Sequence, residues 1–444
     1  MYQKYEQVHQ RTSNVATENL LAGYIDELLS KIKYLNKSNK LLMDLEAVKD
    51  FFNKKKAPIT NSKYGFYDLF CGAGGMSIGF ESNGFSVVKA VEKDLSAIKT
   101  YHFNRPHLSV RDIINDDITK HDDANGFEYA PLIIGGPPCQ GFSNANKQKK
   151  ENDSRNILYK YFVKKVNSVQ PEIFIMENVV GIANHLDEIS SDFYEIGYSI
   201  DVMILDSIEF GAAQTRKRLF IFGQKSIYLK SHKLFDIFRT SVESSKVSKR
   251  FTLWDAIFDL PDIKAKTKRN ATYSERDEWG GTFMKDSGKP TEYKNIINFS
   301  PDSGMVFNHK SKYNNDREIE IYSLLSESDK SDSPKIEHIN PYKNRDNIFK
   351  DKFYKLPFNK PCKTITAHMY YDCHMYIHPN SARGLTPREA ARVQGFSDDY
   401  LFLGTPNEWY RQIGNAVSPL VSRALGLASF MVLENIFENN NEKN

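Results

Sequence analysis

Cysteine is scarce in this chain: four among 444 residues, at positions 71, 139, 362 and 373. None of the four has the close paired spacing of a zinc ribbon, and thiols so dispersed build no disulfide framework. Cys373 and His374, with His368 and His378 nearby, make a metal set by composition only, and no metal is expected. Charge of either sign is not in excess. With 60 basic and 56 acidic residues and a net charge of +4, total charge neither demands nor excludes a nucleic-acid partner, so local patches must decide. There is no internal repeat, and no uninterrupted apolar run approaches the ~20 residues a bilayer requires. The polar start Met1-Tyr2-Gln3-Lys4-Tyr5-Glu6 carries no export signal. These absences set the expectation of a cytoplasmic, reduced protein with no membrane association, in which a lone thiol stays a thiol.

What the chain does have is length and aromatic content, with 29 Phe and 24 Tyr. A chain of this size exceeds what one core usually accommodates, so more than one domain is expected. Residues 1–60 read as a helical N-terminal extension: Leu21, Ile25, Leu28, Ile32 and Leu35 fall on one helix face, and Leu42, Leu45, Val48 and Phe52 on a second. From Gly65 the texture becomes strand, glycine turn, helix, repeated, and this alternation predicts an α/β fold with a doubly wound, mostly parallel sheet over 61–225. Residues 226–400 are polar, rich in Lys, Asn and Ser, and read as a second, smaller, irregular domain. Residues 401–444 read as a segment returning to the first.

The sharpest local signal is Gly135-Gly136-Pro137-Pro138-Cys139-Gln140-Gly141-Phe142-Ser143, directly after the apolar run Pro131-Leu132-Ile133-Ile134. A short buried strand ending in such a stiffened turn presents Cys139 at the carboxyl edge of the sheet, where open α/β folds keep their ligands. A thiolate there attacks electron-poor carbon. Upstream, Gly72-Ala73-Gly74-Gly75 between a strand and a helix lets backbone approach a ligand closely. Glu92 at the next strand end is placed to accept hydrogen bonds from a ribose diol, and Asp117 at a third strand end from an adenine amino group. The glycine spacing lacks the dinucleotide fingerprint, which speaks against nicotinamide and flavin.

Taken together and in order, Asp68-Leu69-Phe70-Cys71-Gly72-Ala73-Gly74-Gly75, Glu92, Asp117-Ile118, the Cys139 turn, Glu177-Asn178-Val179, Gln214-Thr215-Arg216-Lys217-Arg218, Arg383 to Phe396 and Gln412 to Val417 resemble the cytosine-5 DNA methyltransferases of bacterial restriction-modification systems. The resemblance runs from Tyr67 to about Leu425 and leaves the N-terminal extension outside. It implies a Rossmann-like S-adenosylmethionine-dependent domain, with a target-recognition region between Arg218 and Arg383. Cys139 would add to carbon 6 of an extruded cytosine, Glu177 would hold and protonate the ring nitrogen, Arg218 would contact the carbonyl oxygen, and Arg216 would support Cys139 and the base. Phe70, Glu92, Asp117, Ile118 and Asn415 would line the S-adenosylmethionine site, with Gly72 and Gly74 giving backbone access. Lys93 departs from the pattern, since many relatives carry an aromatic residue after the ribose acid.

The polar, basic stretch from Asn144 to Asp153 is expected to close over the flipped base as a lid. Lys264 to Arg269 and Lys310 to Arg317 supply basic clusters for DNA backbone contact. Arg388, Glu389 and Arg392 suggest charge pairing on a helix that braces the second domain. The expected partners are double-stranded DNA, bound by a monomer, and a cognate restriction endonuclease in a functional sense. RNA as substrate and a non-catalytic regulatory role stay open, with the long segment from Ser226 to Asn359 against the first and the intact Cys139 and Glu177 against the second.

Overall fold

The computed structural model of the chain describes residues 62–120, 127–138, 158–229, 233–267, 284–285, 290–299, 305–343 and 351–441, together with Ser30. The N-terminal extension apart from Ser30, Cys139, the 144–153 stretch, Lys268 and Arg269 therefore lie outside the described residues.

A seven-stranded sheet organises the chain, in the order β3-β2-β1-β4-β5-β7-β6. Its strands are β1 (Tyr64–Leu69), β2 (Phe85–Val91), β3 (Ile113–Ile114), β4 (Leu132–Gly135), β5 (Ile173–Asn178), β6 (Tyr198–Asp206) and β7 (Lys217–Lys225). β1 to β5 pair in parallel, while β7 runs antiparallel between β5 and β6. Central strands covered on both faces read as continuous apolar runs, and β4 and β5 do so. Their alternate residues part into two cores: Leu132, Ile134, Ile173 and Ile175 into one, Ile133, Phe174 and Met176 into the other.

On the first face lie α1 (Gly75–Glu81), α2 (Leu95–Phe103) and α5 (Leu234–Ser244); on the second, α3 (Leu158–Val169) and α4 (Leu186–Glu195). The first core continues past residue 226, because Phe238 of α5 stacks on Phe222 of β7 at 4.1 Å and α6 (Leu253–Ile257) adds Leu253, Ala256 and Ile257. Further on come β8 (Met284–Lys285), α7 (Glu292–Ile297), β9 (Met305–Val306) and α8 (Asp316–Leu324). A separate small apolar cluster gathers Ile321, Tyr322, Leu325, Ile336, Phe353 and Ile377.

Three helices close the chain: α9 (Pro387–Gln394), α10 (Pro406–Asn415) and α11 (Pro419–Asn441). α11 holds an apolar span that a count of uninterrupted runs does not register: Pro419–Glu438, 20 residues, is long and apolar enough to cross a membrane although Arg423 and Glu434 interrupt it. Counting uninterrupted runs stops at Arg423 and Glu434, whereas a helix walled on several sides by protein is apolar nearly all round despite such residues. Here 61% of the apolar window is buried, against α1 and α5.

Helix α9 also differs from a charge-paired surface helix, because its ion pairs run to other elements and are buried. Arg383 grips Glu389 through two contacts of 2.8 Å. Arg392 joins Asp398 at 2.6 and 2.7 Å and reaches Asp259 near α6. Arg388 donates to the carbonyl oxygens of Phe307, Ser397 and Tyr400. Thr386 and Glu389 close a capping box at its start, and Gly395, with φ 98°, ends it.

Where α1 crosses α11, a Cβ on Gly79 would lie 2.2 Å from the backbone of Ser422 and Arg423. Overpacking of this kind costs about 1–3 kcal/mol, so Gly79→Ala should lower the thermal midpoint measurably. An unchanged melting curve would show that the two helices can separate without loss.

Candidate active site

The sheet order reverses between β1 and β4, and the crevice beyond their carboxyl ends is the expected ligand position of an open α/β sheet. Beyond β1 the chain turns sharply: Phe70 has φ 59°, a left-handed value uncommon outside glycine, and Gly72 and Gly74 follow at 53° and 85°. The two glycines face different surroundings. A Cβ on Gly74 would meet Arg105 Nη1 at 2.4 Å and Tyr101 at 2.9 Å, whereas one on Gly72 would meet nothing within 4 Å. The turn is thus packed from behind by Arg105, which donates to the Gly74 carbonyl at 3.1 Å and pairs with Glu81 at 2.7 Å, and open in front.

Glu92, just past β2, joins this turn. Its Oε2 accepts from the Gly72 amide at 3.0 Å and its Oε1 from the Asp94 amide at 2.8 Å. Burial pushes its carboxyl above the usual range, against those amide bonds. Each oxygen keeps lone-pair capacity for a hydroxyl donor, so the residue fits a ribose diol. Asp117 follows β3; its Oδ1 accepts from the Thr119 amide at 3.1 Å, and Lys93 Nζ stands 3.9 Å from its Oδ2. Ile118 is buried and Phe70 half-buried in the second core. Asn415 ends α10, exposed. Phe70, Glu92 and Asp117 therefore follow adjacent strands along one edge.

The other half of the crevice carries the reactive groups. β4 and β5 pair through Gly135 and Met176. Beyond that pair a Cβ on Gly136 would lie 3.0 Å from Glu177 Oε2, and Asn178 Nδ2 donates to the Pro137 carbonyl at 3.2 Å. The backbone that leads to Cys139 is thereby held against Glu177. Arg218 Nε lies 3.1 Å from Glu177 Oε1. Burial raises the Glu177 carboxyl above its ordinary value, and the Arg218 and Arg216 guanidiniums oppose that rise.

Arg216 itself is buried. It donates to the carbonyls of Ile365 at 2.7 Å and of Gly414 and Ala416 at 3.0 Å, and its Nε is left without a partner. Burial, then the like charge of Arg218, pushes it down to about 9, so it remains charged at neutral pH. Lys217 between the two is exposed, as strand alternation requires.

Several supporting residues escape a sequence reading. Gln214 accepts from the Ile365 amide at 2.9 Å and meets the Gln394 side chain, which donates to the Ala416 carbonyl at 2.6 Å. Lys312, within one of the expected DNA-contacting clusters, is turned inward and donates to the carbonyls of Met369, Tyr370 and Tyr371 at 3.2, 2.9 and 3.0 Å. The two basic stretches do adjoin, since the Asn314 amide donates to the Lys266 carbonyl at 2.9 Å. His374 is hydrogen-bonded to Tyr322 at 2.6 Å, and His378 Nδ1 accepts from the amides of Asn380 and Ser381. Only the positions of Gln214 and Gln394, each inside a quoted motif block, offered a signal.

A glycine turn with acids on neighbouring strand ends, beside an acid–guanidinium pair on the far side of the switch point, is the arrangement of an open α/β enzyme with its site at the carboxyl ends of the strands. The family model for C-5 cytosine-specific DNA methylases matches residues 64–430, and the chain belongs to that family. It is 34% identical to the type II methyltransferase M.DdeI of Desulfomicrobium norvegicum, over 83% of this chain and 89% of that protein. It is 31% identical to the type II methyltransferase M.XorII of Xanthomonas oryzae pv. oryzae, over 81% and 82%. A solved E. coli structure, described as a prophage-encoded DNA modification methyltransferase, superposes with a TM-score of 0.63 at 28% identity, over 84% of this chain and all of that one. The chain is accordingly a DNA cytosine-5-methyltransferase of the restriction-modification type.

Behind the glycine turn, Asp68 is buried beneath Ser77, which donates to it and also meets the Tyr101 hydroxyl at 2.8 Å. Burial pushes Asp68 up to about 7, against the Ser77 bond and the Arg105 charge. The folded state thus holds this proton more tightly than the unfolded chain, whose Asp titrates near ~3.9. Its contribution to stability is complete below that value and is lost as pH rises through about 7. Asp68→Asn should remove this loss. Urea midpoints at pH 5 and pH 8 should lie closer together in the variant than in the wild type, and equal spacing would contradict the assignment.

Proposed function

We propose that the chain methylates carbon 5 of cytosine within a specific double-stranded DNA sequence, using S-adenosylmethionine, through base flipping and a transient covalent bond to Cys139. The observation that carries this reading is Glu177, held by Arg218 against the backbone that leads to Cys139. Carbon 5 of cytosine is too weak a nucleophile to react unaided. Attack of the Cys139 thiolate on carbon 6 breaks the ring's aromaticity and moves electron density towards carbon 5. Glu177, whose protonated form burial favours, hydrogen-bonds to and protonates the ring nitrogen, so that the charge created by addition is accommodated. Arg218 faces the carbonyl oxygen, and the positive charge of both arginines favours the thiolate.

Bound along the edge formed by Phe70, Glu92, Asp117, Ile118 and Asn415, S-adenosylmethionine would supply the electrophilic sulfonium methyl that carbon 5 accepts. Glu92 would take the ribose hydroxyls, Asp117 the adenine amino group, and the open face of Gly72 would leave room for the rest. Loss of the carbon-5 proton to water then expels the cysteine sulfur and restores the ring. No metal takes part. A stacked base cannot reach these groups, so the target nucleotide must leave the helix.

In this reading residues 61–225 and 401–444, with the α5 and α6 segment that shares their core, form the catalytic body, and the remainder of 226–400 chooses the target sequence. The protein acts as a monomer on DNA in the cytoplasm, protecting it from a cognate endonuclease.

Duplex DNA carrying 5-fluorocytosine at the target, with the methyl donor present, should trap the chain as a permanent adduct on denaturing gels. Cys139→Ala should form none, and an adduct in that variant would refute the proposed nucleophile. Glu177→Gln should lower methyl transfer from labelled donor by about 10²–10⁴-fold while duplex affinity stays near wild type. Full turnover in this variant would remove Glu177 from the chemistry.

A further inference from the structure

Residues 362–365 run beside 213–216. The Cys362 amide donates to the Ala213 carbonyl at 2.8 Å, the Thr215 amide to the Cys362 carbonyl at 3.0 Å, and Thr364 Oγ1 to the Thr215 carbonyl at 2.7 Å. The bridge pairs Gln214 with Cys362 in parallel, and Arg216, two residues before Arg218, donates to the Ile365 carbonyl at 2.7 Å. There the strip ends in a short turn, Ala367–Tyr370.

The turn is fixed from beneath and aromatic above. Lys312 donates to three consecutive carbonyls, at Met369, Tyr370 and Tyr371. Met369 is fully buried, and Gly414 approaches so closely that a Cβ there would sit 2.2 Å from the Ala367 amide nitrogen. Lys352 holds Asp372 at 2.7 Å. From this base Tyr371 projects with 72% of its surface exposed and His368 with its side chain 47% exposed. Their rings are 5.6 Å apart, and Tyr370 meets Tyr371 edge-on at 5.0 Å. A large ring held in water on a rigid base contributes nothing to the core. It is, however, pre-organised to stack on another flat surface, since little conformational freedom remains to be lost on contact.

We propose that Tyr371, flanked by His368, is a DNA-contacting element whose ring stacks on a base exposed when the target cytosine leaves the helix. The proposal rests on the base-flipping reading above and adds a residue outside the Cys139–Glu177–Arg218 set.

The test uses the full chain and a duplex containing its own methylation site, located by bisulfite sequencing of plasmid DNA from cells expressing it. Affinity is read by fluorescence anisotropy, turnover with labelled methyl donor, and flipping by 2-aminopurine at the target position. Because Tyr371 is exposed, Tyr371→Ala should keep the wild-type melting temperature. It should raise Kd and KM about tenfold, the usual loss when one base–aromatic stack is removed, and reduce the 2-aminopurine signal, with kcat little changed. Tyr371→Phe, which retains the ring, should behave as wild type. Wild-type affinity in Tyr371→Ala overturns the proposal, as does a loss in Tyr371→Phe as large as in Tyr371→Ala. A wild-type chain that binds duplex without methylating it would instead refute the function proposed above, and the anisotropy comparison would still decide the role of Tyr371.

Discussion

The buried guanidinium of Arg216 is the contact on which the rest of this molecule depends. A cation in a dry site is costly unless its donors are met; here Nη1 and Nη2 find carbonyls of Ile365, Gly414 and Ala416, and Nε is left unpartnered. Those residues belong to the strip that follows the polar segment and to the junction between α10 and α11. One side chain therefore fixes the start of β7, which carries Arg218, to the chain leading to Tyr371 and to the residue next to Asn415. None of those carbonyls is free to drift without leaving the charge uncompensated. The reactive half of the crevice and the cofactor half are consequently held to one frame, although their residues come from segments some 150 to 200 positions apart.

Charge is divided across the switch point in keeping with this. Carboxylates, Glu92 and Asp117, follow β2 and β3, where a nucleoside with hydroxyl and amino donors would be received. Guanidiniums, Arg216 and Arg218, stand on the β5–β7 side, beside the buried carboxyl of Glu177. Burial drives Glu177 upward while the arginines hold it back, and an acid so balanced can give a proton and take it again within one turnover.

The sheet and its strand-end residues were legible from the sequence because their signals are local. Runs such as Leu132-Ile133-Ile134 and Ile173-Phe174-Ile175-Met176 announce buried strands, and the residue after each strand is placed by the sheet itself, which is how Glu92, Asp117 and Glu177 could be found by counting. What escaped is non-local. Nothing near Arg216 in sequence shows that its acceptors lie beyond residue 360, and nothing near Gly74 shows that Arg105 fills the space behind it. Lys312 looked like a phosphate contact because it sits among other basic residues, yet its ammonium caps a turn. Helix α11 was missed for the opposite reason: two charged residues interrupt its apolar run, and only its packing shows that they lie at the edges of a buried surface.

Beyond the sheet, residues 226–400 send Leu253, Ile257, Tyr293, Ile297, Ile365 and Leu385 into the first core and keep a small separate cluster of their own. Buried ion pairs add to this apolar packing. Arg383 with Glu389, Arg392 with Asp259 and Asp398, and Arg388 on three carbonyls tie α9 to the α6 region and to the chain near residues 307 and 400. Well-packed apolar residues could stabilise such a junction as much or more, but they would tolerate sliding. Paired charges do not, because displacement of one partner leaves a buried charge exposed to an apolar wall, at a cost of about 3–5 kcal/mol. A segment held in this way keeps one position relative to the sheet. This accounts for arginines at fully buried positions of a helix whose sequence shows only that its charges can pair.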